Sequence, residues 1–426
     1  MKLVQRLRQS TFLRHNLIFF VGSVGVGVLN YLYYPILGRL MEPAAFGEVQ
    51  ALVSLFLQLT IFLNVLGMVT VNVVVNYRDQ RQANRVVFEL EKLAVLTGLG
   101  LLAGTIIFGS VLRDALQFES VVPFTALALA LVVSVPLTFR SAYIRARKQF
   151  GVASIAQLLG SASKIVLSVA LVAVGLSTVG AILGIVAAQI AALIYASLAA
   201  AKAGFHKPPD AAYKRRLDVA SILPELRYGC AVLGGSLTIT MLMSVDILMV
   251  KHYFDPHTAG LYAGVATVAR IIFFFTASVA LVLMSEVKLA NSLAKNRALL
   301  YKSLVLVGGI GGAALTLCVL APRFIIGVLM GNEYNQYASL LPLLACAMFI
   351  ISVLNLLFAY YLALRRVMVT IIGIIGFVVT LGALFVTHDS LRTVVGSVLI
   401  GSIVTMCLLV IYAIIKRTPV RTQNER

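Results

Sequence analysis

Apolar stretches of about 20 residues alternate with short polar segments along the whole chain. A helix of that length crosses a hydrocarbon core of roughly 30 Å. Within lipid, every backbone N–H and C=O must be paired inside the protein, which leaves helices or a closed barrel. The alternating ten-residue strands typical of a barrel are absent, so the pattern predicts an all-α integral membrane protein. Its twelve predicted spans lie at residues 15–38, 47–75, 88–111, 121–144, 150–174, 178–202, 228–252, 259–285, 301–321, 336–363, 367–387 and 392–415.

Composition supports this prediction. Hydrophobic residues make up 60% of the chain and charged residues 12%, and the mean hydropathy is +0.98. Soluble domains are usually less than half apolar and about a quarter charged. The four cysteines lie in apolar stretches without CxxC spacing, which is typical of buried thiols. The five histidines show no paired ligand spacing, so we predict neither a metal site nor a cofactor.

The net charge of +19 has an uneven distribution. With the N-terminus placed in the cytoplasm, 28 of the 35 Lys and Arg residues fall in the cytoplasmic segments and five in the outer ones. Two more, Lys164 and Arg270, lie inside spans. The positive-inside rule therefore predicts that both termini are cytoplasmic. It also explains the high pI without a nucleic-acid partner.

The longest polar segment divides the chain nearly in half and contains Pro208, Pro209 and Pro224. It predicts a linker between two bundles of six helices. The predicted organisation is a basic interfacial segment (1–14), an N-lobe (15–203), a basic cytoplasmic linker (204–227), a C-lobe (228–415) and a basic cytoplasmic tail (416–426).

A short sequence pattern occurs once in each predicted lobe. "GRLMEPAAFGEVQALVSL" (38–55) matches "KHYFDPHTAGLYAGVATV" (251–268) at an offset of 213 residues. In each copy we expect an acidic residue to cap the following helix and proline to occupy its first position. Gly47 and Gly260 would allow a close approach of helices near the turn. A second match, between 142–150 and 360–368 at an offset of 218, aligns two basic pairs. Both offsets superimpose six spans on six in the same orientation, so they predict a parallel repeat.

The stretch "NYLYYPILGRLMEPAAFGEVQALVSLF", after a basic N-terminal tail, resembles the start of bacterial polysaccharide-biosynthesis flippases. These proteins are the O-antigen-type lipid-linked oligosaccharide translocases of the multidrug/oligosaccharidyl-lipid/polysaccharide exporter superfamily. The resemblance implies two six-helix lobes in a V around a central cationic cavity, and a location in the bacterial cytoplasmic membrane. It further implies that a polyprenyl-pyrophosphate-linked oligosaccharide moves from the cytoplasmic to the outer leaflet. A polysaccharide polymerase and chain-length proteins would be the implied partners.

Ionisable residues at membrane depth are costly and therefore indicate function. Lys164 and Arg270 both lie near the middle of a span, one in each predicted lobe. We expect them to bind a pyrophosphate from opposite sides, since Arg offers a forked match to phosphate oxygens and Lys a point charge. The alternative is that each pairs with backbone carbonyls or a carboxylate. Asp246, a carboxylate well inside a span, either binds a coupling H⁺ or Na⁺ or pairs with Arg270.

Polar residues at helical spacing suggest the walls of a cavity. Residues spaced by three or four lie on one face of a helix, and a polar face in a membrane helix lines water or joins helices. The predicted lining residues, for sugar or cavity contact, are Asn30, Tyr34, Gln157, Ser161, Asn64 and Asn72. Arg39 and Arg140 are predicted at the outer and inner mouths. The alternatives are snorkelling to headgroups for Arg39 and simple membership of the positive-inside charges for Arg140.

These residues bear on three candidate functions. A flippase for lipid-linked oligosaccharides fits best, because the deep charges are mostly positive. A multidrug or cation antiporter with the same fold would need buried carboxylates. A membrane glycosyltransferase or polymerase would need a catalytic carboxylate in a sizeable outer loop, whereas the outer loops here are short. The sequence therefore predicts a transporter and not an enzyme.

Overall fold

The computed structural model describes residues 11–77, 79–206 and 219–415, and their architecture is helical as predicted. The helices are α1 Thr11–Leu40, α2 Pro43–Asn76, α3 Gln80–Ala115, α4 Val122–Ala146, α5 Phe150–Leu171, α6 Ser177–Lys202, α7 Val219–Tyr253, α8 Pro256–Ala269, α9 Ile271–Glu286, α10 Leu293–Leu320, α11 Pro322–Leu329, α12 Leu341–Ala363, α13 Met368–Val386 and α14 Leu391–Ile415. A π-helical turn, Val172–Leu176, follows α5, and a 3₁₀ segment, Asn332–Leu340, precedes α12.

Nine helical stretches of the described residues are long and apolar enough to cross a membrane, or ten when α8 and α9 form one bent span. One of these stretches runs from Phe150 to Lys202 and contains a reversal, because Gly175 and Ser177 have φ of 93° and 42°. Its halves, α5 and α6, pack side by side and therefore supply two spans. Helix α1, with 30 residues, covers the first predicted span. Eleven of the twelve predicted spans thus correspond to one helix each, and the eighth corresponds to the bent pair α8 and α9.

The repeated turn has the predicted proline position in both copies. Helices α2 and α8 begin at Pro43 and Pro256, where the missing N–H costs nothing. The Asp255 carboxylate caps α8 by accepting a hydrogen bond of 3.0 Å from the Thr258 N–H, and this bond lowers the pKa of Asp255. The prediction of an acidic cap was wrong for Glu42, whose side chain makes no cap hydrogen bond. Glutamate is one methylene longer than the aspartate preferred at this position.

The two copies of the turn pack against each other. A Cβ built on Gly47 would lie 2.8 Å from the Gly260 Cα, and one built on Gly260 would lie 1.7 Å from the Pro43 carbonyl oxygen. No side chain larger than hydrogen fits between these backbones. Gly47 and Gly260 thus allow a close approach of helices, but these helices belong to the two copies of the turn and not, as predicted, to one copy. The contact joins the lobes on the side that the charge distribution makes the outer one.

The inner helix ends also repeat, with a one-residue correction. Lys148 and Arg365 both have positive φ, 59° and 54°. The N–H of Lys148 or Arg365 donates to the carbonyl three residues earlier in the chain. The N–H of the residue that follows each of them donates to the carbonyl five residues before that following residue. The structural offset is thus 217, not the 218 of the sequence match.

The lobes meet along α2, which packs against α7 and α8. Hydrogen bonds cross this interface from Gln50 to Thr267 (2.7 Å) and from Gln58 to Ser244 (3.2 Å). Tyr334 adds a bond of 3.1 Å to the Gly38 carbonyl near the outer end. The outer side of the interface is therefore closed in this structure.

The predicted domain ends are only partly described. Residues 1–10, 207–218 and 416–426, which contain most of the basic segment, linker and tail, lie outside the described residues. Helix α7 begins at Val219, inside the segment predicted as linker.

The eighth span is broken, which the sequence pattern did not predict. Helices α8 and α9 are bent by 41° at Arg270. No proline lies at this break. The Thr267 hydroxyl donates to the Ala263 carbonyl (2.8 Å), a bond of the kind that bends helices.

Candidate functional site

A cavity of about 430 Å³ lies inside the N-lobe. It contains five of the residues predicted from sequence: Asn30, Tyr34, Gln157, Ser161 and Lys164. Helices α1, α2, α4, α5 and α6 supply its walls, and Phe274 of α9 reaches it from the other lobe. We call it the N-lobe cavity. The polar faces of α1 and α5, each recognised by spacings of three and four, therefore face the same space.

Lys164 is the cation of the N-lobe cavity. Its Nζ donates a hydrogen bond of 2.6 Å to Asn30 Oδ1 and lies 4.4 Å from the centroid of the Tyr33 ring. No carboxylate of the described residues forms an ion pair with it. An ammonium group has three donors, so an amide and a ring face leave capacity for an anionic ligand.

Arg270 is held by Asp246, which answers the question left open by the sequence. Arg270 Nη2 lies 2.7 Å from Asp246 Oδ1, and its Nε donates to the Met243 carbonyl at 2.9 Å. The second carboxylate oxygen accepts a bond of 2.8 Å from the Tyr262 hydroxyl. Arg270 is 5% exposed and Asp246 is fully buried. Both charges are therefore neutralised within the C-lobe.

A small cavity of about 20 Å³ lies at the lobe interface between these two sites, and we call it the interface cavity. Its volume is room for about one water molecule. It shares Tyr34, Val53, Leu57 and Phe274 with the N-lobe cavity and also touches Arg270. Lys164 and Arg270 thus line adjoining spaces rather than one vestibule.

Asn64 and Asn72 lie apart from the N-lobe cavity. They line a third cavity, of about 580 Å³, near the inner end of α2, which we call the inner pocket. Its walls are Asn64, Gly67, Met68, Val71, Asn72, Val75, Asn76 and Arg145.

Arg39 and Arg140 are both engaged with protein groups. Arg39 Nε donates to the Leu329 carbonyl (3.2 Å), and its guanidinium also contacts the two preceding carbonyls at the C-terminal end of α11. Arg140 forms an ion pair with Glu91 of α3 and lies 5.0 Å from the Phe205 ring centroid. Neither lines one of the three cavities, so a role at the cavity mouths stays a prediction.

Sequence reasoning missed several lining residues, among them Gln189, Arg145 and Phe274. Gln189 is the one amide in the apolar middle of α6 and accepts a bond of 2.8 Å from Ser134, so its position alone was a signal. Arg145 was grouped with the cytoplasmic charges, although it follows Ser141 by one helical turn. Phe274 belongs to the other lobe, and no pattern along the chain pointed to it.

These features define a multi-pass membrane protein with two helical lobes and with cavities to which several polar side chains contribute. The family described as "Polysaccharide biosynthesis protein" matches residues 12–284, well over half of the chain, so the protein belongs to this family. A search of curated protein sequences found no match.

Solved structures of membrane transporters and of a lipid flippase share the fold. An inward-facing multidrug resistance MATE transporter is 16% identical with a TM-score of 0.73, over 92% of this chain and 96% of the other. The lipid II flippase MurJ, in an inward closed conformation, is 10% identical with a TM-score of 0.71, over 93% and 87%. The eukaryotic MATE transporter AtDTX14 is 17% identical with a TM-score of 0.59, over 96% and 97%. The family match confirms the polysaccharide-biosynthesis family predicted from the sequence, and the structural matches confirm the predicted two-lobe fold.

Proposed function

We propose that the protein is a flippase that moves polyprenyl-pyrophosphate-linked oligosaccharides from the cytoplasmic to the outer leaflet by alternating access. The observation that carries this proposal is Lys164, a cation that lines the N-lobe cavity and has no carboxylate partner among the described residues. An unpaired cation at membrane depth favours an anionic ligand. It disfavours the cationic substrates of a multidrug antiporter.

The chemistry of the cavity suits the head group of such a substrate. Lys164 binds the diphosphate, and the amides and hydroxyls of Asn30, Gln157, Ser161 and Gln189 bind sugar hydroxyls. The polyprenyl tail stays in lipid while the head group crosses. The protein acts in the bacterial cytoplasmic membrane with both termini in the cytoplasm, next to a polymerase and chain-length proteins that use the flipped substrate.

The role of Arg270 in the transport cycle depends on its ion-pair partner, Asp246. Arg270 binds the diphosphate only after it exchanges the Asp246 carboxylate for phosphate oxygens. A coupling H⁺ or Na⁺ on Asp246 would neutralise this carboxylate and release the guanidinium toward the interface cavity, whose wall it already forms. The buried pair thus links ion binding to substrate binding.

Closure at Gly47 and Gly260 represents one of the two states that alternating access requires. The opposite state needs these turns to separate and the interface bonds of Gln50 and Gln58 to break. Hydrogen bonds of this kind contribute about 1 kcal/mol each, which is small enough to break and re-form in each cycle.

The test is flipping of a fluorescent polyprenyl-diphosphate oligosaccharide in proteoliposomes, read by quenching from outside. We expect Lys164→Ala to slow flipping about 10- to 150-fold, the effect of losing a charged hydrogen bond of about 1.5–3 kcal/mol. Lys164→Arg should retain part of the rate. The control is Lys302→Ala, which removes an exposed cation. Flipping by Lys164→Ala at the control rate would contradict the proposal.

A further inference from the structure

Arg145 is a half-buried cation whose side chain has no partner in the part of the chain that the structure describes. Among the described residues, its guanidinium has no hydrogen-bond acceptor, carboxylate or aromatic ring as partner. An arginine at the inner end of a membrane helix commonly extends to lipid headgroups. Arg145 instead lines the inner pocket, whose other polar residues are Asn64, Asn72 and Asn76. An unsatisfied guanidinium beside three amides has the composition of a site for a phosphorylated sugar.

The guanidinium of Arg145 lies against a glycine of the facing helix. A Cβ built on Gly67 would lie 3.7 Å from Arg145 Nη2 and 3.3 Å from Thr138 Cγ2. A longer side chain at this position would push against the guanidinium and displace it from its place in the pocket wall. The amide of Asn76 already bonds to Asn72 Oδ1 at 2.9 Å, so the asparagine face is ordered on α2.

The inner pocket and the N-lobe cavity follow one another along the same two helices. On α4, Ser141 lines the N-lobe cavity and Arg145 lines the inner pocket one turn later, about 6 Å along the axis. On α2, Leu57 and Asn64 are two turns apart on one face. A ligand in the inner pocket therefore lies beside the N-lobe cavity, on its cytoplasmic side.

We propose that the inner pocket is a loading site, in which Arg145 binds the diphosphate of the lipid-linked substrate and Asn64 and Asn72 bind its first sugar. This inference rests on the proposed flippase function. Arg145 matches two phosphate oxygens with its forked donors. The head group then moves from Arg145 to Lys164, so that each step exchanges one cation for another instead of exposing the charge to lipid.

The experiment measures binding of farnesyl diphosphate and of farnesol to the full chain in nanodiscs. We expect Arg145→Ala to weaken farnesyl diphosphate binding at least about tenfold, as for a lost charge-assisted hydrogen bond. Farnesol binding should not change, because the alcohol carries no phosphate. Arg145→Lys should bind with intermediate affinity, since it keeps the charge but loses the fork.

The matched control is Lys148→Asn, which removes an exposed cation three residues away, at a position of positive φ that asparagine tolerates. Equal diphosphate binding by Arg145→Ala and this control would overturn the loading site. Equal losses for diphosphate and farnesol would overturn it too, because they would reveal a structural role. If Arg145→Ala does not fold, the binding of farnesyl diphosphate and of farnesol is compared for Arg145→Lys and Gly67→Leu instead, against the same control.

The same assay separates this inference from the function on which it rests. If Lys164→Ala loses diphosphate binding and flipping while Arg145→Ala keeps both, the loading site fails and the flippase stands. If Lys164→Ala flips the lipid at the control rate, the flippase proposal fails whatever Arg145 binds.

Discussion

The contact between Gly47 and Gly260 can be disrupted by a single methyl group, in the substitution Gly260→Ala. In the outer-closed structure, a methyl group at position 260 would lie 1.7 Å from the Pro43 carbonyl oxygen, whereas real Cβ atoms do not come within 3.0 Å of such an atom. The two turns must therefore separate by at least about 1.3 Å, the difference between these distances. Backbone faces backbone here, so no side chain can rotate away. We expect Gly260→Ala to disfavour the closed state and leave each lobe intact.

Overpacking of a well-packed contact costs about 1–3 kcal/mol. Since 1.4 kcal/mol corresponds to a factor of ten in an equilibrium constant, the ratio of outer-closed to outer-open molecules should fall roughly 5- to 150-fold. If transport passes through both states, flipping slows when the closed state becomes rare.

The measurement is the distance between spin labels on the outer side of the two lobes, at Asp114→Cys and Asp389→Cys, in a chain without its native cysteines. Gly260→Ala should shift the distance distribution to longer values and slow flipping. The control is Gly312→Ala, where no atom lies within 4 Å of the new Cβ. Identical distributions for the two variants would refute the reasoning, because they would mean that the contact does not determine outer closure.

Two further predictions concern stability. Asp246→Asn leaves the buried Arg270 guanidinium without a counter-charge. Because breaking a buried ion pair costs about 3–5 kcal/mol, thermal unfolding in detergent should occur at a clearly lower temperature. An unchanged unfolding midpoint would show that the pair is not buried. Asp255→Ala should cost about 1 kcal/mol as a lost helix cap, whereas Glu42→Ala should cost little, because Glu42 makes no cap bond. The cap bond lowers the pKa of Asp255, so its contribution is full above the unfolded pKa of roughly 3.9 and is lost as the pH falls through the lower folded value. A pH-independent difference between the two variants would contradict this explanation.

Much of the site could be predicted because spacing along one helix is local information. Asn30 and Tyr34 on α1, and Gln157, Ser161 and Lys164 on α5, were grouped by intervals of three and four, and the fold turns both groups into the same cavity. Asn64 and Asn72 were also grouped correctly on one face, but nothing in their spacing revealed that this face belongs to a different pocket. A face is a property of one helix, and a cavity is a property of several.

The sequence by itself determined that the chain lies in a membrane, that it has many helical spans, with about twelve predicted, and that two turns repeat. The length of an apolar segment and the placement of charged residues and prolines beside it are local properties of the chain, so they can be recognised without coordinates. Only the tertiary structure decided which charges are neutralised. Arg270 and Lys164 looked alike in sequence, yet the packing of α7 against α8 supplies Asp246 to the first, and the packing of α1 against α5 supplies only an amide and a ring to the second. The cost of a buried charge depends on its neighbours in space, and those neighbours lie 24 and 134 residues away along the chain.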